Sequence, residues 1–247
     1  PADTGRRRGG GNQNPEDGPP QPRGVGKQAG LNRFTWDLRY PGSVVFPGMI
    51  LWSARAESGP TAVPGNYQVR LTVNGQGQTK NFTIRKDPRL ADITVEDLQA
   101  QFDLAMKIRD RESDANSAVI LIRDIKKQVD DRIGKANDPK ITASGDELKK
   151  KLSAVEEDLY QVQNRSNQDP LNFPIKLNNL IAALARVVES ADARPTDQSY
   201  VVFKELSAEL DTLLNRLDDE VKTYVPGFNK LLDEKKLDPI KAEKPKQ

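Results

Sequence analysis

Leu31-Asn32-Arg33-Phe34-Thr35-Trp36-Asp37-Leu38-Arg39-Tyr40-Pro41-Gly42-Ser43-Val44-Val45-Phe46-Pro47-Gly48-Met49-Ile50-Leu51-Trp52 holds both tryptophans of the chain and its densest aromatic cluster. Phe34, Trp36, Leu38 and Tyr40 alternate with Arg33, Thr35, Asp37 and Arg39. A period of two predicts a half-buried strand over 34–40. Pro41-Gly42 and Pro47-Gly48 are turn signals, and Met49 to Arg55 reads as a second extended run. Phe34, Trp36, Tyr40, Phe46 and Trp52 are the candidate interface residues, because aromatic side chains carry most of the area that a small sheet can bury, either in its own core or against a partner.

Toward the N-terminus, residues 1–30 are rich in Gly, Pro, Arg, Asn and Gln and read as a flexible linker or loop. The triplet Arg6-Arg7-Arg8 lacks interleaved aromatics and falls short of the many contacts that polyanion binding needs, so no nucleic-acid partner is expected. A chain beginning at Pro1 without a signal-type apolar core is expected to start at a cut or processed end.

Toward the C-terminus, Pro64-Gly65-Asn66-Tyr67 opens a strand in which Tyr67, Val69, Leu71 and Val73 alternate with polar residues. Asn74-Gly75 supplies hairpin chemistry, and a return strand over Lys80 to Lys86 points Phe82 and Ile84 inward. This hairpin looks like the last two strands of an immunoglobulin-like sandwich, which needs about seven strands where about four are legible. The sandwich over 31–88 is therefore expected to be incomplete without upstream strands.

The period then changes to 3.6. Thr94 with Asp97 marks a helix start, and Val95, Leu98, Phe102, Ala105, Ile108, Ala115, Val119, Ile122, Ile125, Val129 and Ile133 carry one stripe to Gly134. The stretch Ala118 to Ile122 is apolar all round and should be covered on more than one side. A second helix is expected from the Ser144/Glu147 capping box to near Asp169-Pro170, and a third from Pro174 to Ala191. A fourth should run from Thr196 to just before Pro226-Gly227, followed by a short docking helix over Phe228 to Leu237. The fold class this predicts is α+β and multidomain: a partial immunoglobulin-like β-sandwich, then an antiparallel four-helix bundle with a long first helix over 92–238, and a frayed Lys-rich tail over 239–247.

Chemistry is narrowed by what the composition omits. The chain of 247 residues has no cysteine and no histidine, which removes disulfides, thiolate nucleophiles, the usual zinc sets and histidine-dependent triads. Its 38 basic and 36 acidic residues nearly cancel, so no global field draws a polyanion or an anionic membrane. No apolar run approaches the ~20 residues of a membrane span. Asp37 and Glu57 are the first carboxylate pair to consider for acid–base work, but Asp37 falls on the polar face of its strand and Glu57 lies in a loop beside Arg55, the ordinary setting of surface acids. The helical acids Asp110, Asp114, Asp124, Asp130 and Asp131 are interleaved with arginines and lysines, the pattern of an ion-paired face. No phosphate-cradling glycine loop is present. No catalytic, cofactor-binding or metal residue is assigned, and no cofactor is expected.

Gly30-Leu31-Asn32-Arg33-Phe34, Trp36 to Gly42, Phe46-Pro47-Gly48-Met49 and Pro64-Gly65-Asn66-Tyr67 resemble the C-terminal region of large bacterial proteins that carry sortilin-like, neuraminidase-repeat (BNR) β-propellers and are labelled glycosyl hydrolase-like. The segments Asp87-Pro88-Arg89, Asp169 to Asn179 and Ala193-Arg194-Pro195-Thr196 extend the resemblance over roughly 30–240. It implies a secreted or periplasmic parent with propeller repeats upstream, of which this chain is a non-catalytic accessory module for anchoring or assembly. The partner would be the upstream segment, or a separate chain, that supplies the missing strands. Any glycosidase acids would belong to the propeller. Two other readings stand beside it: a part of a glycoside hydrolase whose catalytic residues lie upstream, and a helical scaffold that forms homo- or hetero-oligomers.

Overall fold

The computed structural model describes residues 26–243. The chain divides into two compact units, Pro1–Trp36 and Asp37–Gln247. In the first, residues 26–36 form neither helix nor strand. The Asn32 side chain closes a turn there by donating to the carbonyls of Gln28 at 2.8 Å and Gly30 at 3.3 Å. Of the linker expected over 1–30, residues 1–25 lie outside the described residues.

The second unit is α+β, with four helices and two small antiparallel two-stranded sheets among the described residues. Strand β1 (Arg39–Pro41) pairs with β2 (Ser58–Thr61), Arg39 lying opposite Thr61 and Pro41 opposite Ser58. The expected strand over 34–40 is thus reduced to its last residues. Asp37 Oδ1 accepts the Arg39 N–H at 2.9 Å, and Leu38 between them takes φ 64. This local side-chain turn competes with extended pairing and breaks the alternation. The two strands approach so closely that a Cβ on Gly42 would stand 2.1 Å from the Ala56 carbonyl oxygen, and one on Gly59 2.2 Å from that of Pro41. The run Met49 to Arg55 is irregular rather than a strand, and Ser53 within it has φ 53.

Strands β3 (Gly65–Val73) and β4 (Gln76–Ile84) form the expected hairpin, the return strand starting at Gln76 rather than Lys80, with Tyr67 opposite Phe82 and ring centroids 5.7 Å apart. Asn74 and Gly75 both have positive φ, 49 and 82, the turn whose twist suits a two-residue hairpin.

Helix α1 (Val95–Ala136) starts at a complete capping box: Thr94 Oγ1 accepts the Asp97 N–H, and Asp97 Oδ2 accepts that of Thr94. At ~1.5 Å per residue it is roughly 60 Å long. It is the central element, touching β2 and the three other helices, α2 (Pro139–Leu159), α3 (Leu177–Val188) and α4 (Asp197–Glu234). Ala118, Val119, Leu121 and Ile122 are all buried, as an all-round apolar stretch requires.

Helix boundaries differ from those the sequence suggests: α3 spans Leu177–Val188 rather than 174–191, and α2 and α4 differ as well. Helix α2 begins at Pro139, because Asp138 caps it by accepting the N–H groups of Lys140 and Ile141. Ser144 therefore lies inside the helix. It ends at Leu159, and Asp169–Leu171 forms a separate 3₁₀ turn. Helix α4 continues through Pro226 instead of stopping before it. The proline forfeits one hydrogen bond to the Lys222 carbonyl. Burial of Val225, Phe228 and Leu232 on either side of it keeps the helix on the core.

The start of the expected frayed tail is docked. Ile240 is buried, its N–H and carbonyl both bonded to the Asn229 side chain at 2.8 and 3.0 Å, and Gln128 holds Lys241 in the same two-handed way. No helix among the described residues is long and apolar enough to cross a membrane.

Candidate functional site

Among the described residues no strand pairs with residues 42–54, yet their backbone groups are paired at three stations by side chains of α1, of Tyr160 and of α3. Val44 donates to Ser113 Oγ at 3.1 Å and accepts from Asn116 Nδ2 at 2.7 Å, both from α1. The Tyr160 hydroxyl, just past α2, accepts from the Ile50 N–H at 3.0 Å and donates to the Gly48 carbonyl at 3.2 Å. Asn179 on α3 takes both backbone groups of Trp52. Asn116 is in turn held by Asn178, whose Nδ2 donates to its Oδ1 at 3.2 Å. Buried amides and hydroxyls thus do for this loop what a neighbouring strand does in a sheet.

The candidate aromatics of the second unit, Tyr40, Phe46 and Trp52, have separate partners. Phe46 is buried in the helical core, edge-on to Tyr160 at 5.0 Å, with the Arg123 guanidinium 4.7 Å above its ring. Arg123 also donates to Glu156 at 2.7 Å, and Lys126 reaches the other oxygen of that buried carboxylate at 3.0 Å. Tyr40 meets Phe102 edge-on at 4.9 Å. Trp52 is 38% exposed, Trp36 is half-buried, and Phe34 is 58% exposed.

Asp37 serves its own turn, and Glu57 is exposed. Beside Glu57 lies a residue that the sequence reading passed over. Glu112 on α1 is 3% exposed, and its Oε1 has no hydrogen-bond partner. Burial pushes its carboxyl up to about 8; Ser43 and Asn116 pull it down, and the charge of Glu57 adds to the rise. A signal existed: Glu112 sits four residues after Ile108, where the apolar stripe skips a turn. Ser113 and Asn116 continue that interruption.

The helical acids are engaged by neighbours. Asp114 pairs with Arg111 at 3.0 Å, Asp130 with Lys149 at 2.7 Å, Asp131 with Lys135 at 2.8 Å, and Asp110 with Arg109 at 2.5 Å, while Asp124 accepts from Gln128 at 2.7 Å.

The hairpin offers a different surface. Val69, Leu71 and Val73 share one face of β3 and are 55%, 55% and 56% exposed. Lys80, Gln78 and Gln76 stand opposite them on β4. Among the described residues neither strand is paired in a sheet with a third strand, and the Tyr67 side chain of β3 reaches Tyr40 of β1. Comparisons of the chain with protein-family models, with curated proteins and with solved structures yield no match.

Proposed function

We propose that this chain is a non-catalytic attachment module, in which an immunoglobulin-like sheet left incomplete within the chain is carried on an antiparallel four-helix bundle. The observation that supports it most is the hairpin β3–β4. Three adjacent exposed apolar side chains, Val69, Leu71 and Val73, on a hairpin that no third strand joins among the described residues are what a sheet presents before neighbouring strands cover it. An isolated two-stranded hairpin is marginal in water, so covering it is favourable. In the resemblance described above, the strands come from the segment that follows a β-propeller in a secreted or periplasmic bacterial protein. Anchoring or assembly of that propeller is the module's role.

Amide hydrogen exchange tests this on the 247-residue chain alone and on the same chain joined to the propeller-bearing segment. The expected result is fast exchange over 65–84 in the chain alone and slow exchange in the joined protein, with α1 equally protected in both. A monomeric chain whose hairpin amides are already as protected as those of α1 would overturn the reading.

A further inference from the structure

A recess of about 500 Å³ lies between the β1–β2 pair, the loop at 53–55 and α3. Its wall carries the guanidinium groups of Arg39, Arg55 and Arg186, the hydroxyls of Ser53 and Ser58, and a single carboxylate, Glu189. Three cations around one space is a local excess in a chain whose net charge is only +2.

Two of the arginines are oriented by the protein itself. Arg39 Nη1 donates to the Gly59 carbonyl at 2.9 Å and to Glu189 Oε1 at 3.3 Å. Arg186 Nη1 donates to the Ser53 carbonyl at 3.2 Å and also bonds the Ser53 hydroxyl. Ser53 is held there in the left-handed region at φ 53, a conformation that costs a non-glycine residue free energy and persists only where its surroundings enforce it. Arg55 is exposed and makes no hydrogen bond or ion pair among the described residues. Ala182 and Ala185 of α3 are small enough to leave the recess open.

We infer that this recess binds a small oxyanion with a hydroxylated body. Guanidinium forks match the paired oxygens of carboxylate and phosphate. The volume exceeds what a bare inorganic ion fills and lies within the range of small-molecule sites. Glu189 and the serine hydroxyls supply acceptors for ligand hydroxyls, and an anion offsets the repulsion among the three cations. Arg39 and Arg186 are set in advance, while Arg55 closes on the anion from the loop.

Three probes of like size separate the sources of the anion: glucuronate, glucose 6-phosphate and glucose. Each is titrated to about 10 mM at fixed physiological salt and followed by amide chemical shifts. One of the two anions is expected to bind saturably, with shifts confined to 39, 53–58 and 182–189, and glucose not to bind. Carboxylate and phosphate preference is read directly from which anion does so. Arg55→Ala should weaken binding by about tenfold or more, and Arg186→Lys, which keeps the charge but loses the fork, should also weaken it. Arg85→Ala, an exposed cation outside the recess, should not. The inference is overturned if neither anion binds, if glucose binds as well as they do, or if Arg85→Ala weakens binding as much as Arg55→Ala.

Discussion

The side-chain amide of Asn179 meets both backbone groups of Trp52, its Oδ1 accepting the Trp52 N–H at 2.6 Å and its Nδ2 donating to the Trp52 carbonyl at 2.9 Å. One buried side chain on α3 thereby takes the place of a strand neighbour for an irregular loop. Asn179→Leu removes both partners and leaves the two groups unpaired. It is expected to cost about 2–4 kcal/mol in urea unfolding, since each stranded group costs about 1–3 kcal/mol less any access to water. Trp52 fluorescence should shift to the red below the main transition, as the loop lifts before the helices melt.

Glu112 sets the alkaline side of the stability profile. Its folded value of about 8 stands above the ordinary 4.5, so the folded state holds a proton that the unfolded chain has released. Its contribution is complete below about 4.5 and is lost as pH rises through about 8, a change on the order of 5 kcal/mol. Asp97 acts with the opposite sign: the Arg194 and Thr94 hydrogen bonds hold it at about 2, so its contribution is present above 3.8 and lost as pH falls toward 2. Thermal melts are therefore expected to show maximum stability near pH 4 to 5. Glu112→Gln should flatten the decline on the alkaline side and leave the acid limb in place.

Gly145 and Gly227 should respond oppositely to alanine, although both lie inside helices. A Cβ on Gly145 would stand 2.8 Å from Ile133 Cδ1 and from Val129 Cγ1, and 3.0 Å from Phe228 Cε2. Overpacking of this kind costs about 1–3 kcal/mol and exceeds the gain in helix propensity. A Cβ on Gly227 meets nothing within 4 Å, so Gly227→Ala is expected to stabilise by up to about 1 kcal/mol. Chemical denaturation of the two variants side by side decides the matter.

Glu156 joins α1 to α2 through Arg123 and Lys126, and its side chain is only 5% exposed. Glu156→Gln keeps the shape and removes the charge. Because both cations retain some access to water, the cost should be about 2 kcal/mol rather than that of a fully buried orphan. In Arg123→Ala the carboxylate keeps Lys126, but Phe46 and Tyr160 lose their covering cation. A double-mutant cycle between Arg123 and Glu156 should return a coupling of about 1 kcal/mol or more.

Where local chemistry was sufficient, the elements were legible. Thr94 and Thr196 cap the helices that their positions announced, and Asn74-Gly75 turns the hairpin where its φ preferences place it. The misjudged boundaries have a common cause. Asp138 competed with Ser144 as a cap and lay nearer the preceding helix, and Pro226 is a stop signal only when nothing buried lies beyond it. The period of two over 34–40 was real, but the Asp37 side chain offered the backbone a nearer partner. Of the candidate site, the aromatics were visible and their destinations were not. Phe46 lies under an arginine 77 positions later in the chain, a proximity that periodicity does not encode.

By itself, then, the sequence determined the α+β composition, the hairpin, the long first helix and the absence of cysteine and histidine chemistry, because each rests on neighbours in the chain. Only the tertiary structure decided that residues 42–54 are paired by Ser113, Asn116, Tyr160 and Asn179, that Glu112 is buried, and that Arg39, Arg55 and Arg186 line one recess. Those relationships join residues far apart in sequence. Burial, which sets the strength of a hydrogen bond and the cost of a charge, exists only once the helices have met.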